Sequence, residues 1–504
     1  MDCLPPKSLP PASRAPVYCP RRVHSLIGLP VIILLTASAP LCAAGSTTTQ
    51  GGAAGTSRPA DSSLQSSVSQ YGITWTFDKK APVGQFVNGD YWFVGPVTVV
   101  SVDPAPTAER NGSVVNPTAV VVKYKVKQGY DKRINDFDAN VRASFPLELA
   151  PGQSLVSVIS REEGAQRPYL RTAAVLTCLK EAPPSDAFRP AYVGDRKVLW
   201  RAGPLRRDLL PRLAPPAGAK LPDLKTSERS LQRMWLDTGQ YYIGEYLHPV
   251  ENMPSYPREM SAIVSNVGLL LLLDDPKGER EQLLRLFVQL GIDLWGITQS
   301  ESRLWIDAGG HGSGRKWPIL FAGLMLGEKD MCHVKAAFAE DYQTYYGNCW
   351  TGAKVCWGAN HADAADGDHE EKHPRDWTVD GRGRPGDPKQ GSGSDNKAES
   401  YRRGCSSQAW VGEALAARLL GMVETWDHPA FFDYMDRWMY EDETEFTRIK
   451  TEAVDWKREV FYAAPAQRTS GSAFVDAMWA KYRPTLQPPP DGWKKERKDR
   501  TVGK

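Results

Sequence analysis

The apolar pattern of this 504-residue chain changes its period once, near Lys225. Between residues 71 and 216, short runs such as 97–102 and 155–159 are rich in β-branched residues and end at Gly- or Pro-containing turns, which predicts strands. From 226 onward, apolar residues recur at helical spacing. We therefore expect an α+β multidomain protein, with an N-terminal antiparallel β-sandwich-like domain followed by an incomplete α/α toroid of helical hairpins.

The first residues resemble a targeting signal. Arg21 and Arg22 precede an apolar run at 26–35, and small residues follow at 37–45. This is the order of a secretory signal peptide, and Pro30 and Pro40 disfavour an uncleaved membrane anchor. The sequence predicts export to the periplasm or the extracellular space, with no stable membrane association after cleavage.

The remaining boundaries follow from composition. We predict a signal peptide at 1–45, a flexible linker at 46–70, the β domain at 71–216, the helical domain at 226–485 with a long loop at 348–400, and a charged tail at 486–504. Within the helical domain, the patterns predict a helix from Thr226 or Ser227 to Glu245, and others over 258–273, 279–294, 317–326 and 331–346.

The net charge and the cysteine spacings bear on which partners and which metal sites the chain could have. A formal net charge of only +3 gives no reason to expect a nucleic-acid partner. Cys349 and Cys356 are close enough in sequence to form a disulfide in an oxidising compartment, and no cysteine spacing fits a zinc site. The 16 Trp and 19 Tyr suit stacking against flat ligand rings, although filling of cores explains any one of them equally well.

Two helix-to-helix connections carry unusually dense polar groups. The first, 242–258, holds Tyr242, Glu245, Asn252, Tyr256 and Arg258. The second, 305–317, has glycines on both sides of His311, and Arg315, Lys316 and Trp317 open the next helix. Glycines let the backbone approach a ligand closely. We interpret both connections as parts of a binding site; the alternative for His311 is a turn histidine that bonds to backbone.

A third segment, 348–399, lacks helical periodicity. Its stretch 361–373 is dense in His, Asp and Glu, and Trp377 follows. Because no metal-ligand spacing is defined, a solvated acidic loop is favoured over a divalent metal site, and no cofactor is expected. Next, Tyr401, Arg402 and Arg403 begin a helix. Arginines there oppose the helix dipole, which indicates an anionic ligand; ordinary surface charge is the alternative.

These residue types suit one reaction on an acidic polysaccharide. Arg, His or Asn neutralises a uronic acid carboxylate so that the adjacent C–H becomes acidic, Tyr or His removes that proton, and Tyr protonates the departing glycosidic oxygen. The reaction is a β-elimination.

At these residues the sequence resembles the exported polysaccharide lyases with a helical toroid beside a β-sandwich, which act on alginate, glucuronan or glycosaminoglycans. The resemblance covers about Thr226 to Tyr440 and rests on Asn252/Tyr256/Arg258, the Gly-His311-Gly loop with Trp317-Pro-Ile-Leu, and Tyr401-Arg-Arg. It implies an acidic polysaccharide substrate, Tyr256 or Tyr401 as acid, His311 or a tyrosine as base, and Asn252, Arg258, Arg315 and Arg403 at the carboxylate.

Two alternatives remain open at this stage. An α/α-toroid glycoside hydrolase would use a carboxylate pair, for which Glu245 and Asp307 are best placed in the sequence. A non-catalytic carbohydrate-binding surface protein would need only the aromatic residues. The complete predicted set is Tyr256, His311, Tyr401 and Arg258 as catalytic residues, with Tyr242, Glu245, Asn252, Arg315, Lys316, Trp317, Arg402, Arg403 and Trp377 as substrate-binding residues.

Overall fold

The computed structural model describes residues 60–119, 127–240, 243–251, 258–306, 310–358, 402–452, 467–487 and 493–494. The predicted signal peptide and most of the 348–400 loop lie outside these ranges. Within them, the N-terminal part of the chain is a curled mixed sheet and the C-terminal part is helical, so the predicted α+β class is confirmed.

The N-terminal strands form a single sheet. They are β1 (Ser63–Gln70), β2 (Ile73–Gln85), β3 (Tyr91–Val94), β4 (Val97–Asp103), β5 (Ser113–Val115), β6 (Leu147–Leu149), β7 (Ser154–Ser160) and β8 (Leu170–Leu179). The order is β5-β7-β8-β3-β2-β4-β6, with β1 also paired to β2. The pair β3–β8 is parallel and the other neighbours are antiparallel.

Two expectations for this region were wrong. The strands do not form the two facing sheets of a sandwich, because β3 pairs with both β2 and β8 and so joins all of them into one curled half-barrel. The folded chain also begins earlier than predicted, since β1 lies within the supposed 46–70 linker. That strand is ordered by its pairing with β2 and by burial of Val68 and Gln70 on one face.

The helical part begins after a proline-rich connection. Its helices are α1 (Leu224–Gln232), α2 (Gly244–Leu247), α3 (Arg258–Leu271), α4 (Glu281–Ser300), α5 (Lys316–Leu326), α6 (Lys329–Cys332), α7 (Ala339–Tyr342), α8 (Ser407–Leu419), α9 (Val423–Trp426), α10 (Pro429–Tyr440), α11 (Thr444–Glu452) and α12 (Ala473–Tyr482). A π-helical turn, Arg402–Ser406, precedes α8. Among the described residues, no helix combines the length and apolarity needed to cross a membrane.

Two predicted helices differ from those observed. The helix expected to run to Glu245 ends at Gln232, where Arg233 turns away to bond Thr172 and Glu251, and its cap is Asp223 rather than Thr226. The helix expected over 331–346 is replaced by α6, α7 and a strand, β9 (Thr344–Tyr346).

A small hairpin accounts for the second difference. Strand β9 pairs with β10 (Val355–Trp357), and the connection between them is closed by a Cys349–Cys356 disulfide. The disulfide anticipated from the cysteine spacing is therefore confirmed. Backbone pairing across this hairpin satisfies the groups that a helix would otherwise have bonded internally.

One apolar core joins the two parts. It runs from sheet residues such as Val156 and Val175 to Phe287, Trp317 and Trp410 of the helices, while a second cluster fills the other face of the sheet. The aromatic residues that occupy core positions include eight fully buried tryptophans: Trp75, Trp92, Trp235, Trp317, Trp357, Trp410, Trp426 and Trp438. At least half of the 16 tryptophans therefore serve packing rather than ligand contact.

Candidate functional site

Three segments that the sequence singled out meet at the start of α3. The backbone at Gly310 lies so close to Arg258 and to the carbonyl of Cys405 that a Cβ atom at this position would collide with both. Arg258 itself donates a hydrogen bond to the carbonyl of Gly404. The 242–258 connection, the glycine loop around His311 and the turn after Tyr401 thus converge, although they are far apart in the sequence.

Glu245 and His311 form the polar centre of this convergence. The Nδ1 atom of His311 lies 3.9 Å from Oε1 of Glu245, which is almost fully buried, whereas His311 keeps 21% of its side chain exposed. Burial raises the pKa of Glu245. Burial, together with the charges of Arg315 and Arg167, lowers the pKa of His311 to about 4. At neutral pH, His311 is therefore an uncharged imidazole that can accept a proton.

Arg167 completes the site from the sheet side. It lies in the loop between β7 and β8, and its Nη1 atom is 2.8 Å from Oε2 of Glu245. Its guanidinium lies over the ring of Tyr246, which stacks on Tyr169 at 5.5 Å between ring centres. A hydrogen bond to Tyr246 raises the pKa of Arg167, and about half of the side chain remains exposed. Arg167 was not among the predicted site residues, because it lies in the strand region and belongs to no polar motif.

A buried cluster of ion pairs contacts the glycine loop. Arg315 bonds Asp237 through Nε at 2.7 Å and Nη2 at 3.1 Å, and it also donates to the carbonyl of Ser313. His248 lies 3.3 Å from the same carboxylate. Burial alone would raise the pKa of Asp237, but Arg315 and His248 hold it well below its usual range. Arg315, which was predicted at the substrate carboxylate, is thus paired with the carboxylate of Asp237.

Lys316 and Trp317 are also engaged within the protein. Lys316 is buried, where it pairs with Asp341 and donates to the carbonyl of Trp426. Trp317 is fully buried and packs edge-on against Phe321. These two predicted substrate-binding residues hold α5 in place.

Arg402 and Arg403 are the first two residues of the π-helical turn, and their side chains bond within the protein. Both donate to Gln467 at 3.1 Å, and Arg403 also pairs with Glu443 and lies 3.5 Å above the ring of Phe446. Arg403 lines a cavity of about 500 Å³. Both arginines are buried, so the alternative of ordinary surface charge is wrong for them.

Several predicted residues lie outside the described ranges: Tyr242, Asn252, Tyr256, Asp307, Trp377 and Tyr401. The possible metal-binding stretch at 361–373 lies outside them as well. Among the residues that the structure does describe, no three His, Cys, Asp or Glu side chains are grouped so as to hold a metal ion.

Comparison of this chain with protein-family models, with curated proteins and with solved structures finds no match.

Proposed function

We propose that this chain is an exported lyase that cleaves a uronic-acid-containing polysaccharide by β-elimination. The observation that carries the proposal is the position of His311 beside Glu245, with Arg167 and Arg258 contributed by flanking segments. A neutral base next to arginines is the combination that proton abstraction beside a carboxylate requires.

Each group has a defined part in the reaction. Arg167 and Arg258 neutralise the uronate carboxylate and so acidify the adjacent C5–H bond. His311 accepts the C5 proton, the electrons of that bond form a C4–C5 double bond, and the C4–O bond breaks. Tyr256 or Tyr401 then supplies a proton to the departing glycosidic oxygen, as the sequence predicts. Solvent exposure supports these roles, because 54% of the Arg167 side chain and 30% of the Arg258 side chain are accessible to solvent and hence to a polymer.

The architecture suits a long polymer. We propose that the helices form an incomplete α/α toroid, an arrangement supported by the pairwise packing of α3 against α8 and of α4 against α5. The site draws on both the sheet and the helices, so it lies where an extended acidic polysaccharide can contact both.

A glycoside hydrolase is the second candidate, and one observation favours it. A buried carboxyl whose pKa is raised, as at Glu245, is what a general acid needs in order to protonate a glycosidic oxygen. Asp307 is the predicted partner carboxylate. In this case, the products would be saturated sugars.

The experiment that separates the candidates measures two products at once. Mature protein is incubated with a panel of uronic acid polymers, while ultraviolet absorbance reports the C4–C5 double bond and a reducing-end assay reports all cleavage. We expect both signals to rise together, and both to be lost in Tyr256→Phe or Tyr401→Phe, whichever is the acid. Release of reducing ends without the double bond, abolished by Glu245→Gln, would overturn the lyase proposal in favour of a hydrolase.

The pH dependence of the lyase activity is a separate prediction. Because His311 must be unprotonated to act as the base, kcat/KM is expected to rise with pH through about 4 and to be level above it. The measurement is a kcat/KM profile on the responsive polymer from about pH 3 to about pH 7. An acid limb near 6.5, the ordinary value for histidine, would show that the base is not the buried His311.

A further inference from the structure

Two fully buried glutamates lie beneath the glycine loop, and the proposed reaction does not use them. Glu340 is in α7 and Glu413 is in α8, and both side chains are inaccessible to solvent. Each has one oxygen that accepts a hydrogen bond: Oε1 of Glu340 from the amide of Gly314 at 2.5 Å, and Oε1 of Glu413 from the hydroxyl of Ser261 at 2.9 Å.

The two carboxyl groups are neighbours. Gly314 has a positive φ of 86°, and a Cβ atom at this position would lie 2.6 Å from the backbone of Ser261. Gly314 and Ser261, the residues that bond Glu340 and Glu413, are therefore in contact. The Glu340 charge also raises the pKa of Glu413.

The second oxygen of each glutamate needs a partner. Oε2 of Glu340 and Oε2 of Glu413 are both buried, and neither has a hydrogen-bond partner among the described residues. An ionised carboxylate left unpaired in a protein interior is very costly, and two adjacent ones are worse because they repel. A single proton held between the two free oxygens satisfies both and leaves only one negative charge.

The charged groups packed around the pair are few. Arg315 is the cation that favours ionisation of both glutamates, but it is already bonded to Asp237. Asp341 opposes ionisation of both, and Lys316 pairs with Asp341. Burial raises the pKa of Glu340, and burial together with the Glu340 charge raises that of Glu413 further above its usual range.

We propose that Glu340 and Glu413 share one proton between their buried Oε2 atoms, and that this protonated pair is the positioning device for the loop that carries His311. Glu340 accepts the amide of Gly314, three residues after His311, while Glu413 is tied through Ser261 to α3, whose first residue is Arg258. When the shared proton is lost at alkaline pH, the two carboxylates repel, and the contact between the glycine loop and α3 loosens.

The test compares amide variants that cannot lose the proton. In Glu413→Gln, the oxygen still accepts from Ser261 and the NH₂ donates permanently to Glu340; Glu340→Gln gives the mirror arrangement. The matched control is Glu424→Gln, which changes an exposed glutamate on α9.

The pKa values of the glutamate pair are higher in the folded state than in the unfolded state, so the stability that the pair contributes is lost as pH rises. The wild type and the control should therefore lose thermal stability between about pH 5.5 and about pH 9.

Both amide variants are expected to match the wild type in Tm near the acid end and to exceed it by several degrees at the alkaline end. Glu340→Ala, which removes the acceptor for Gly314, is expected to lower Tm at both ends. Parallel curves of Tm against pH for the wild type and both amide variants would overturn the proposal.

A second measurement follows the loop itself. Hydrogen–deuterium exchange of a peptide covering 310–314, corrected for the intrinsic rate, should speed up at alkaline pH in the wild type and not in Glu413→Gln. If the amide variants fail to fold, the wild type alone is tested, and the exchange rate of the loop peptide is compared with that of a peptide from β8. An equal pH dependence of the two exchange rates would overturn the proposal. Neither measurement needs a substrate, so its outcome is independent of the proposed reaction.

Discussion

Replacing Arg189 by alanine is expected to lower the free energy of unfolding by about 3–5 kcal/mol, the cost of leaving buried charges without their partner. Arg189 is almost fully buried and links the sheet to the helices. Its Nε atom lies 2.6 Å from Asp90, in the turn before β3, and Nη1 and Nη2 bond Asp293 of α4 at 2.9 and 2.5 Å. Without the guanidinium, both carboxylates stay in the interior with their repulsion uncompensated.

The measurement is chemical denaturation followed by tryptophan fluorescence. Arg201→Ala is the matched control, because Arg201 pairs with Asp186 at a site where both side chains are partly exposed, and a loss below about 1 kcal/mol is expected there. The deficit of Arg189→Ala should shrink in acid, because burial raises the pKa of Asp293 and its protonation removes a buried charge. A loss no larger than that of the control would contradict the assignment of Arg189 as the link between sheet and helices.

His311→Gln is expected to lower kcat by about 10²–10⁴-fold, the range usual for loss of a general base, with a much smaller effect on KM. Glutamine keeps similar size and polarity but cannot accept the proton. The measurement is the rate of double-bond formation at saturating polymer. His333→Gln is the control, since His333 is exposed and its Nδ1 contacts only the local carbonyl of Lys329 among the described contacts. A loss below about tenfold for His311→Gln would remove it from the role of base.

The sequence predicted best where the signal was local. Helix α3 was predicted to start at Arg258, where it does start, and α5 was predicted to end at Leu326, where Gly327 adopts a left-handed conformation. Both helices contain a long apolar run that ends at residues unfavourable to a helix. The 242–258 connection, the His311 loop and the segment at Tyr401 were each predicted to belong to a binding site, and Arg258, Gly310 and Cys405 from these segments lie in contact.

Contacts between distant residues account for what was missed. Asp237 is the partner of Arg315 across 78 positions, and Glu413 lies in the middle of a helix, where a charged residue in a sequence normally indicates a solvent face. Arg167 gave no helical or motif signal at all. The single curled sheet depends on the parallel β3–β8 pairing, which alternation of apolar residues within each strand does not encode.

The ion pair between Arg167 and Glu245 spans the boundary between sheet and helices, and this has a consequence for engineering the chain. A helical fragment expressed alone would present the Glu245 carboxyl and the His311 imidazole without the cation that the β7–β8 loop supplies. Exchanging that loop for another hairpin would change the cation that faces Glu245 and would remove the stack of Tyr169 on Tyr246 of α2. Selection for new substrate preferences would therefore be best directed at residues 161–169, in a part of the chain that contains none of the proposed acid or base groups.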